Sequence, residues 1–500
     1  MVLLKRPGCF STFLAIYASS TWAITVPSSP PSTASSVDPA LLSISLEFFA
    51  FPGYMQLPST TTCLANLAGL RGTAPAVRIG GTTQDRATYN AQLSTPVNYT
   101  VASSGDAPTS LTYGPQFFTL ASQLQGDVTV GLNRQLNNQV NTLQAAQQAK
   151  STVHNLLALE LGNEPDLYGS GSPIIGSSGW SPSVDGASQK AWETALALSV
   201  GDIFQAAVYL SFPSWSTANL VPLLGSAISY VKTFSGHSYP QSACGGASTN
   251  LQTLMSHSGI VSYTRQYKSE AAAAHAQGKQ YFLGETNSAT CGGGDISPTF
   301  GAALWIVDYV LQGAVNGIDR LYFHQGTIGN CVSLRPLPLS SHLCPQCHRN
   351  TASGATTRPA RPSTAPPSSR NSSAPSAARA SQCSTTAPGA VATYALYSSA
   401  NQPLRVLIYN SAYYSGSGTR SAASVPLSGL SATGSVRALR LTAPSAPARV
   451  DQGAAVTIGG GQTFAGDCSK AGAQTMETVA VSGGTATISV KASEALIVFL

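Results

Sequence analysis

Charge is scarce in this 500-residue chain. Asp, Glu, Lys and Arg together make up 9 % of it, where an ordinary soluble domain carries about 25 %. The 26 basic and 20 acidic residues leave a net charge of only +6. No basic stripe with interleaved aromatics is present, so nucleic acid is not expected as a partner. Long apolar runs are missing too: after the first 23 residues none reaches the roughly 18 positions that a membrane span needs. Metal-ligand clusters are equally thin. Cys344, Cys347 and His348 resemble half a zinc site, but no second half follows at ligand spacing, and no metal is expected. What fills the chain instead is Ser, Thr, Gly, Ala and Asn. Polar but uncharged surfaces of this kind suit an extracellular protein handling neutral or weakly charged ligands.

The start of the chain agrees with that. Lys5 and Arg6 precede a short apolar stretch from Cys9 to Ser19, and Thr21-Trp22-Ala23 is a suitable cleavage site, so residues 1–23 read as a signal peptide. The mature protein is then expected to be secreted, with no membrane association after cleavage. Eight cysteines remain beyond Cys9: Cys63, Cys244, Cys291, Cys331, Cys344, Cys347, Cys383 and Cys468. In an oxidising compartment these can pair, although sequence leaves the connectivity open. Asn98-Tyr99-Thr100 and Asn371-Ser372-Ser373 are glycosylation sequons, and Asn98 is the candidate acceptor.

Five hundred residues suggest two domains. A Pro/Ser-rich extension (24–41) leads into eight short apolar segments alternating with helical ones. The first four strands are predicted at Leu42–Phe49, Ala74–Gly80, Asp127–Leu132 and Leu156–Leu161, and the next two at Ile203–Leu210 and Ser229–Phe234. The seventh lies in Tyr281–Thr290 and the eighth at Arg320–Phe323. Helices are expected at Gln139–Lys150, Gln189–Leu198, Thr253–Gln277 and Thr299–Gln312. This alternation predicts an α/β fold, a (β/α)₈ TIM barrel over residues 42–332. From 389 to 500 the helical stretches stop, and strand-like runs separated by Gly/Ser turns predict a C-terminal all-β sandwich. Pairing of its sheet with the N-terminal extension is left open. Between the domains, Ser333–Pro388 is dense in Pro, Ser, Ala and Arg and has no apolar period for the eighth barrel helix. It reads as a linker or, preferably, as a mistranslated stretch, a choice that sequencing the transcript across Gln325–Tyr394 decides.

The chain is organised around Leu156–Tyr168, LLALELGNEPDLY. A buried strand charged only at Glu160 stops at Gly162 and delivers Asn163 and Glu164 past its end, where barrels of this kind place their chemistry. A second carboxylate, Glu285, sits at the end of a similar strand, YFLGET. The fourth and seventh strands lie nearly opposite in a barrel, so the two can face each other across a cleft. Paired carboxyls are what glycoside hydrolysis requires, one as acid and one as nucleophile or base. The bland alternative is that both glutamates cap helices or pair with surface lysines.

Asn163-Glu164-Pro165 together with Gly284-Glu285 is similar to the clan A glycoside hydrolases. VRIGGTTQDR, LELGNEPDLY, FLGETNSATCGG and FGAALWIVDY extend the resemblance to family 79, and within it to fungal secreted β-glucuronidase-like members. The likeness runs over Ser43–Asn330 and more loosely over Val391–Leu500. It implies retaining hydrolysis of β-linked glucuronides by a two-glutamate double displacement, without cofactor, with Glu164 as acid/base and Glu285 as nucleophile. It also implies that Asn163 binds the sugar 2-hydroxyl, that Arg78 and Tyr239 contact Glu285, and that His237 lines the cleft. Glu47 and Gln325 are placed for sugar contact. The bland reading of Arg78 is a structural pair with Asp85. Two other functions stay open: a retaining β-glycosidase of another specificity, such as a glucosidase or xylosidase, and a catalytically silent carbohydrate-binding protein.

Overall fold

The computed structural model describes residues 23–326 except 104 and 178, the backbone of Ala378–Gln382, and residues 389–500. The expected signal peptide therefore lies outside the described residues, save Ala23, and so does Ser333–Pro388 apart from that one strand.

Eight parallel strands close into a barrel in sequence order: β1 (Leu42–Glu47), β2 (Val77–Gly80), β3 (Val128–Leu132), β4 (Leu156–Leu161), β5 (Phe204–Tyr209), β6 (Val231–Ser238), β7 (Gln280–Thr286) and β8 (Arg320–Gln325). Closure is made by β8 against β1, from Leu321 opposite Leu42 to Gln325 opposite Leu46. Side chains alternate between the two faces of each strand. Ile44, Leu46, Val77, Ile79, Val128 and Val130 accordingly join the large core shared with the helices. Ser43, Ser45, Arg78, Thr129 and Glu160, all buried, take the other face, inside the barrel. A small apolar cluster of Ala40, Ala76, Phe282 and Tyr322 plugs the base. The polar interior above that plug is what the site is built on.

The sixth strand continues to Ser238, so His237 belongs to the strand itself rather than to the loop after it. The helix expected over Thr253–Gln277 is instead three short ones, Leu251–Met255, His257–Thr264 and Lys268–His275. The cause is local: Ser256 leaves helical geometry and its hydroxyl accepts from the Gly259 N–H, starting a new helix.

The C-terminal domain is a sheet of β9 (Val391–Tyr397), β10 (Pro403–Asn410), β11 (Ala422–Ser428), β12 (Gly434–Thr442), β13 (Glu477–Ser482), β14 (Thr485–Lys491) and β15 (Glu494–Phe499). The N-terminal extension is part of it. Ile24–Thr25 pairs with the end of β11, and Ser35–Val37 pairs with Ala378–Gln382, which in turn flanks β9. The strand period of two gives the domain two buried faces. Val406 and Ile408 point into the sandwich's own core, while Tyr394 and Tyr409 join the barrel core. Tyr394 donates to Asp308, and Tyr409 donates to the Met255 carbonyl at 2.8 Å. The barrel helix Phe300–Val315 begins with its Phe300 and Gly301 N–H groups on the Ala448 and Ala446 carbonyls. Cys63–Cys468 adds a covalent tie between the domains, and Cys244–Cys291 joins the loops after β6 and β7. The other four mature cysteines lie outside the described residues.

Behind β4 and β5, helix Pro182–Val200 presents Asp185, Gln189 and Glu193, spaced by four on one face. Asp185 is satisfied by Arg134, Gln189 and Tyr209, but Glu193 leaves one oxygen unpartnered. Burial pushes its carboxyl up to about 8, against the pull of Arg134. The folded chain thus holds a proton that the unfolded chain releases near pH 4.5, and stability falls as pH rises from there towards 8. Glu193→Gln should remove that slope. The variant should match the wild type in thermal unfolding at pH 4.5 and melt several degrees higher at pH 8, an effect of a few kcal/mol at about 1.4 kcal/mol per pKa unit.

Candidate active site

All six residues singled out in the sequence, Asn163, Glu164, Glu285, Arg78, His237 and Tyr239, meet at the C-terminal mouth of the barrel. The chain leaves β4 through Gly162, at φ 82°, and Glu164 itself holds the left-handed conformation at φ 46°. A side chain at Gly162 would collide with the Tyr168 hydroxyl and press on Arg134, so this turn needs glycine for space as well as for backbone freedom. A non-glycine residue held left-handed is strained by about 1 kcal/mol or more, and the surroundings fix it. Asp85 accepts the Asn163 N–H at 2.7 Å and the Tyr168 hydroxyl at 2.7 Å. Trp180 donates its indole N–H to the Pro165 carbonyl at 2.6 Å. Asp85 is therefore the clamp of this turn. It does not pair with Arg78, and the bland reading of that pair is set aside.

Arg78 instead turns inward and spends its donors on four partners. Nε and Nη2 engage Glu160, with Nη2 to Oε1 at 2.5 Å. Nη2 also reaches Asn163 Oδ1 at 2.8 Å, and Nη1 reaches Ser45 Oγ at 3.1 Å and Glu285 Oε2 at 2.7 Å. Both Arg78 and Glu160 are fully buried. Tyr239 donates to the other Glu285 oxygen at 2.7 Å, and His237 Nδ1 lies 2.9 Å from Glu164 Oε1. His324 Nδ1 is 3.6 Å from Glu285 Oε2. Facing oxygens of Glu164 and Glu285 and a ring nitrogen of His237 all lie within 4.8 Å of one another. Those three ligand types could in principle hold a cation, but the Arg78 guanidinium already bound to Glu285 repels one there.

The two carboxyls are driven apart. Burial, then the charges of Glu285 and Asp166, raise Glu164 well above the ordinary range. Burial acts the same way on Glu285, but His324, His237, Arg78 and the Tyr239 hydrogen bond outweigh it, and its carboxyl lies well below that range. His237 is pushed down to about 4, chiefly by burial, so it meets Glu164 as a neutral ring near pH 7. The mouth thus presents an acid that keeps its proton opposite an ionised carboxylate.

Glu160 and His324 were not picked out from the sequence as site residues. Glu160 did carry a signal: a lone charge inside an apolar strand demands a buried partner, and Arg78 in APAVRIG is the only charge in another such strand. Glu47 sits beside the site, its Oε1 held by the Thr83 N–H and hydroxyl. Gln325 is buried at the end of β8.

Sequence comparison matches residues 393–497 to the glycosyl hydrolase family 79 C-terminal beta domain. The crystal structure of a 4-O-α-L-rhamnosyl-β-D-glucuronidase from Fusarium oxysporum 12S, a Rha-GlcA complex, is 43 % identical with a TM-score of 0.85, covering 96 % of this chain and all of that one. The chain belongs to glycoside hydrolase family 79. Beta-glucuronidases of Neurospora crassa and Aspergillus niger are 32 % and 31 % identical over 349 and 329 residues, 63 % and 59 % of this chain. The match spans about three fifths of the length of these curated relatives, 61 % and 60 %. In this family 79 chain both the closed barrel and the C-terminal sandwich are present, as the sequence pattern predicts.

Proposed function

We propose that this chain is a secreted retaining glycoside hydrolase that cleaves β-linked glucuronides of extracellular glycoconjugates. The observation that carries the reading is the pair at the ends of β4 and β7, with facing oxygens within 4.8 Å and acidities pushed in opposite directions. Carboxyls about 5–5.5 Å apart leave no room for a water between them, so the second attacks the sugar directly. Glu164 protonates the glycosidic oxygen while Glu285 attacks the anomeric carbon, and a glycosyl ester forms on Glu285. Glu164, now ionised, takes a proton from the water that breaks the ester. Asn163, oriented by Arg78, is the donor for the sugar 2-hydroxyl. His237 orients Glu164, and Arg78 and Tyr239 orient Glu285.

The 43 % identity over the whole of the Fusarium rhamnosyl-glucuronidase favours a finer reading, in which the accepted glycone is a glucuronide carrying rhamnose at O4. Secretion through residues 1–23 and glycosylation at Asn98, which is exposed, belong to the same proposal. The test compares aryl β-D-glucuronide, its 4-O-rhamnosyl form, aryl β-D-glucoside and aryl β-D-xyloside. One of the two glucuronides should turn over at least about 100-fold faster than the glucoside or xyloside, since a buried polar site rejects a substrate lacking its partner group strongly. Glu164→Ala should stall on the glycosyl enzyme with an activated aryl substrate, and azide should restore turnover with a β-configured glycosyl azide as product. An α-configured product would overturn the retaining mechanism, and turnover of none of the four would support a silent binder.

A further inference from the structure

We propose that His324 is a positioning residue for the proposed reaction: as an imidazolium it bridges Glu47 and Glu285 and sets the lower pH limit of activity. This rests on the reading of Glu285 as the nucleophile. The ring is buried at the end of β8. Its Nε2 lies 3.3 Å from Glu47 Oε2, and its Nδ1 lies 2.9 Å from Ser45 Oγ and 3.6 Å from Glu285 Oε2. Nε2 faces a carboxylate oxygen, whereas Nδ1 makes its hydrogen bond to Ser45 Oγ, with the Glu285 oxygen beyond hydrogen-bond reach. A neutral ring satisfies these contacts only by donating from Nε2 and accepting the Ser45 hydroxyl at Nδ1. The imidazolium donates from both nitrogens and alone places a positive charge between the two carboxylates.

Glu47 is held for this contact. Its Oε1 is taken by the N–H and hydroxyl of Thr83, which leaves Oε2 for the histidine. Gly81 passes so close to Glu47 that a side chain there would collide with Oε2. The Asn287 side chain holds the His324 carbonyl at 3.0 Å, so both ends of the bridge are fixed by the fold.

The surrounding charges explain why a second cation belongs here. Glu47 comes from β1, Arg78 from β2, Glu160 and Glu164 from β4 and its end, His237 and Tyr239 from β6 and its end, and Glu285 from β7. Four carboxyl groups converge with one permanent cation, Arg78. His237 cannot supply another, because burial leaves it neutral near pH 7. His324 is buried as well, yet Glu285 and Glu47 outweigh that burial and raise its pKa above the usual imidazole value. The two histidines of the mouth thus divide the work: the neutral one meets the acid, the charged one meets the nucleophile.

The experiment measures kcat/KM against pH on the accepted aryl glucuronide for wild type, His324→Asn and Glu47→Gln. Losing the imidazolium should move the acid limb of the profile up by about one pH unit or more, and Glu47→Gln should move it in the same direction by less. An acid limb that stays in place in both variants, whatever the loss in rate, overturns the proposal. Long-range ¹H–¹⁵N NMR of the histidine rings in the wild-type protein gives a readout independent of turnover and of variant folding. His324 should show both ring nitrogens protonated at pH 7, and a single neutral tautomer there overturns the bridge. If no glucuronide is hydrolysed while the ring is doubly protonated, the bridge stands and the reading of the reaction has failed instead.

Discussion

Glu285→Gln should lower turnover of an aryl glucuronide by at least about 10⁴-fold, as removal of a nucleophile does elsewhere, and leave a folded protein that still binds the sugar. The fold should survive because the amide can be accommodated. Its oxygen can face Arg78 Nη1, which now sits 2.7 Å from Oε2. Its NH₂ then faces the Tyr239 oxygen, whose hydroxyl can rotate from donating to accepting. What vanishes is the lone pair that attacks the anomeric carbon, together with the negative charge that the neighbouring cations hold in place. Turnover and calorimetric titration with the product sugar separate the alternatives. Wild-type turnover that disappears in the variant, with affinity changed by less than about tenfold, identifies an enzyme. Variant turnover within tenfold of wild type would place the nucleophile elsewhere. A wild type that binds but never turns over would identify the silent paralogue.

Much of the fold was legible because parallel barrel strands are buried on both faces and read as short apolar runs. Leu156–Leu161 is the same in sequence and structure, and β5 and β8 differ from expectation by a residue or two at their ends. Glycines at the strand exits and the carboxylates beyond them marked the mouth. What stayed hidden was long-range. Glu477–Ser482 alternates half-buried and exposed residues, so it has no apolar run to announce it. The N-terminal extension joins the distant sheet by backbone pairing at Ile24–Thr25 and Ser35–Val37, with Ile24 and Val26 buried in the sandwich core, and a pairing between segments so far apart leaves no local pattern in the sequence. The Asp85 clamp combines a loop after β2 with groups from the turns after β3 and β4, and no spacing along the chain records such a meeting. Arg78 falls between these cases: its role at Glu285 follows from a resemblance, whereas its bond to Glu160 follows from electrostatics that one sequence already contains.

That bond makes Arg78 the position where stability and chemistry can be pulled apart. Arg78→Met would leave the Glu160 carboxyl fully buried, with Gln205 Nε2 at 2.6 Å as its remaining side-chain partner. Stranding one member of a buried ion pair costs about 3–5 kcal/mol, so this variant should unfold at markedly lower denaturant concentration at pH 7 and lose turnover as well. Such a result alone could reflect unfolding. Arg78→Met combined with Glu160→Gln removes the stranded charge. Replacing both members of a buried pair by neutral groups is often nearly neutral for stability, so the double variant should recover most of the lost denaturation midpoint. Turnover should not return with it, because Glu285 still lacks its 2.7 Å cation and Asn163 its orienting donor. Arg78→Lys completes the argument. A point charge on a flexible stem cannot serve Glu160, Asn163, Ser45 and Glu285 at once. It should therefore keep more stability than the methionine variant and still lose about 100-fold or more in turnover, the scale on which small misplacements act. Recovery of turnover in the double variant would show that Arg78 only keeps the barrel interior folded and that the ionisation of Glu285 is secured by His324.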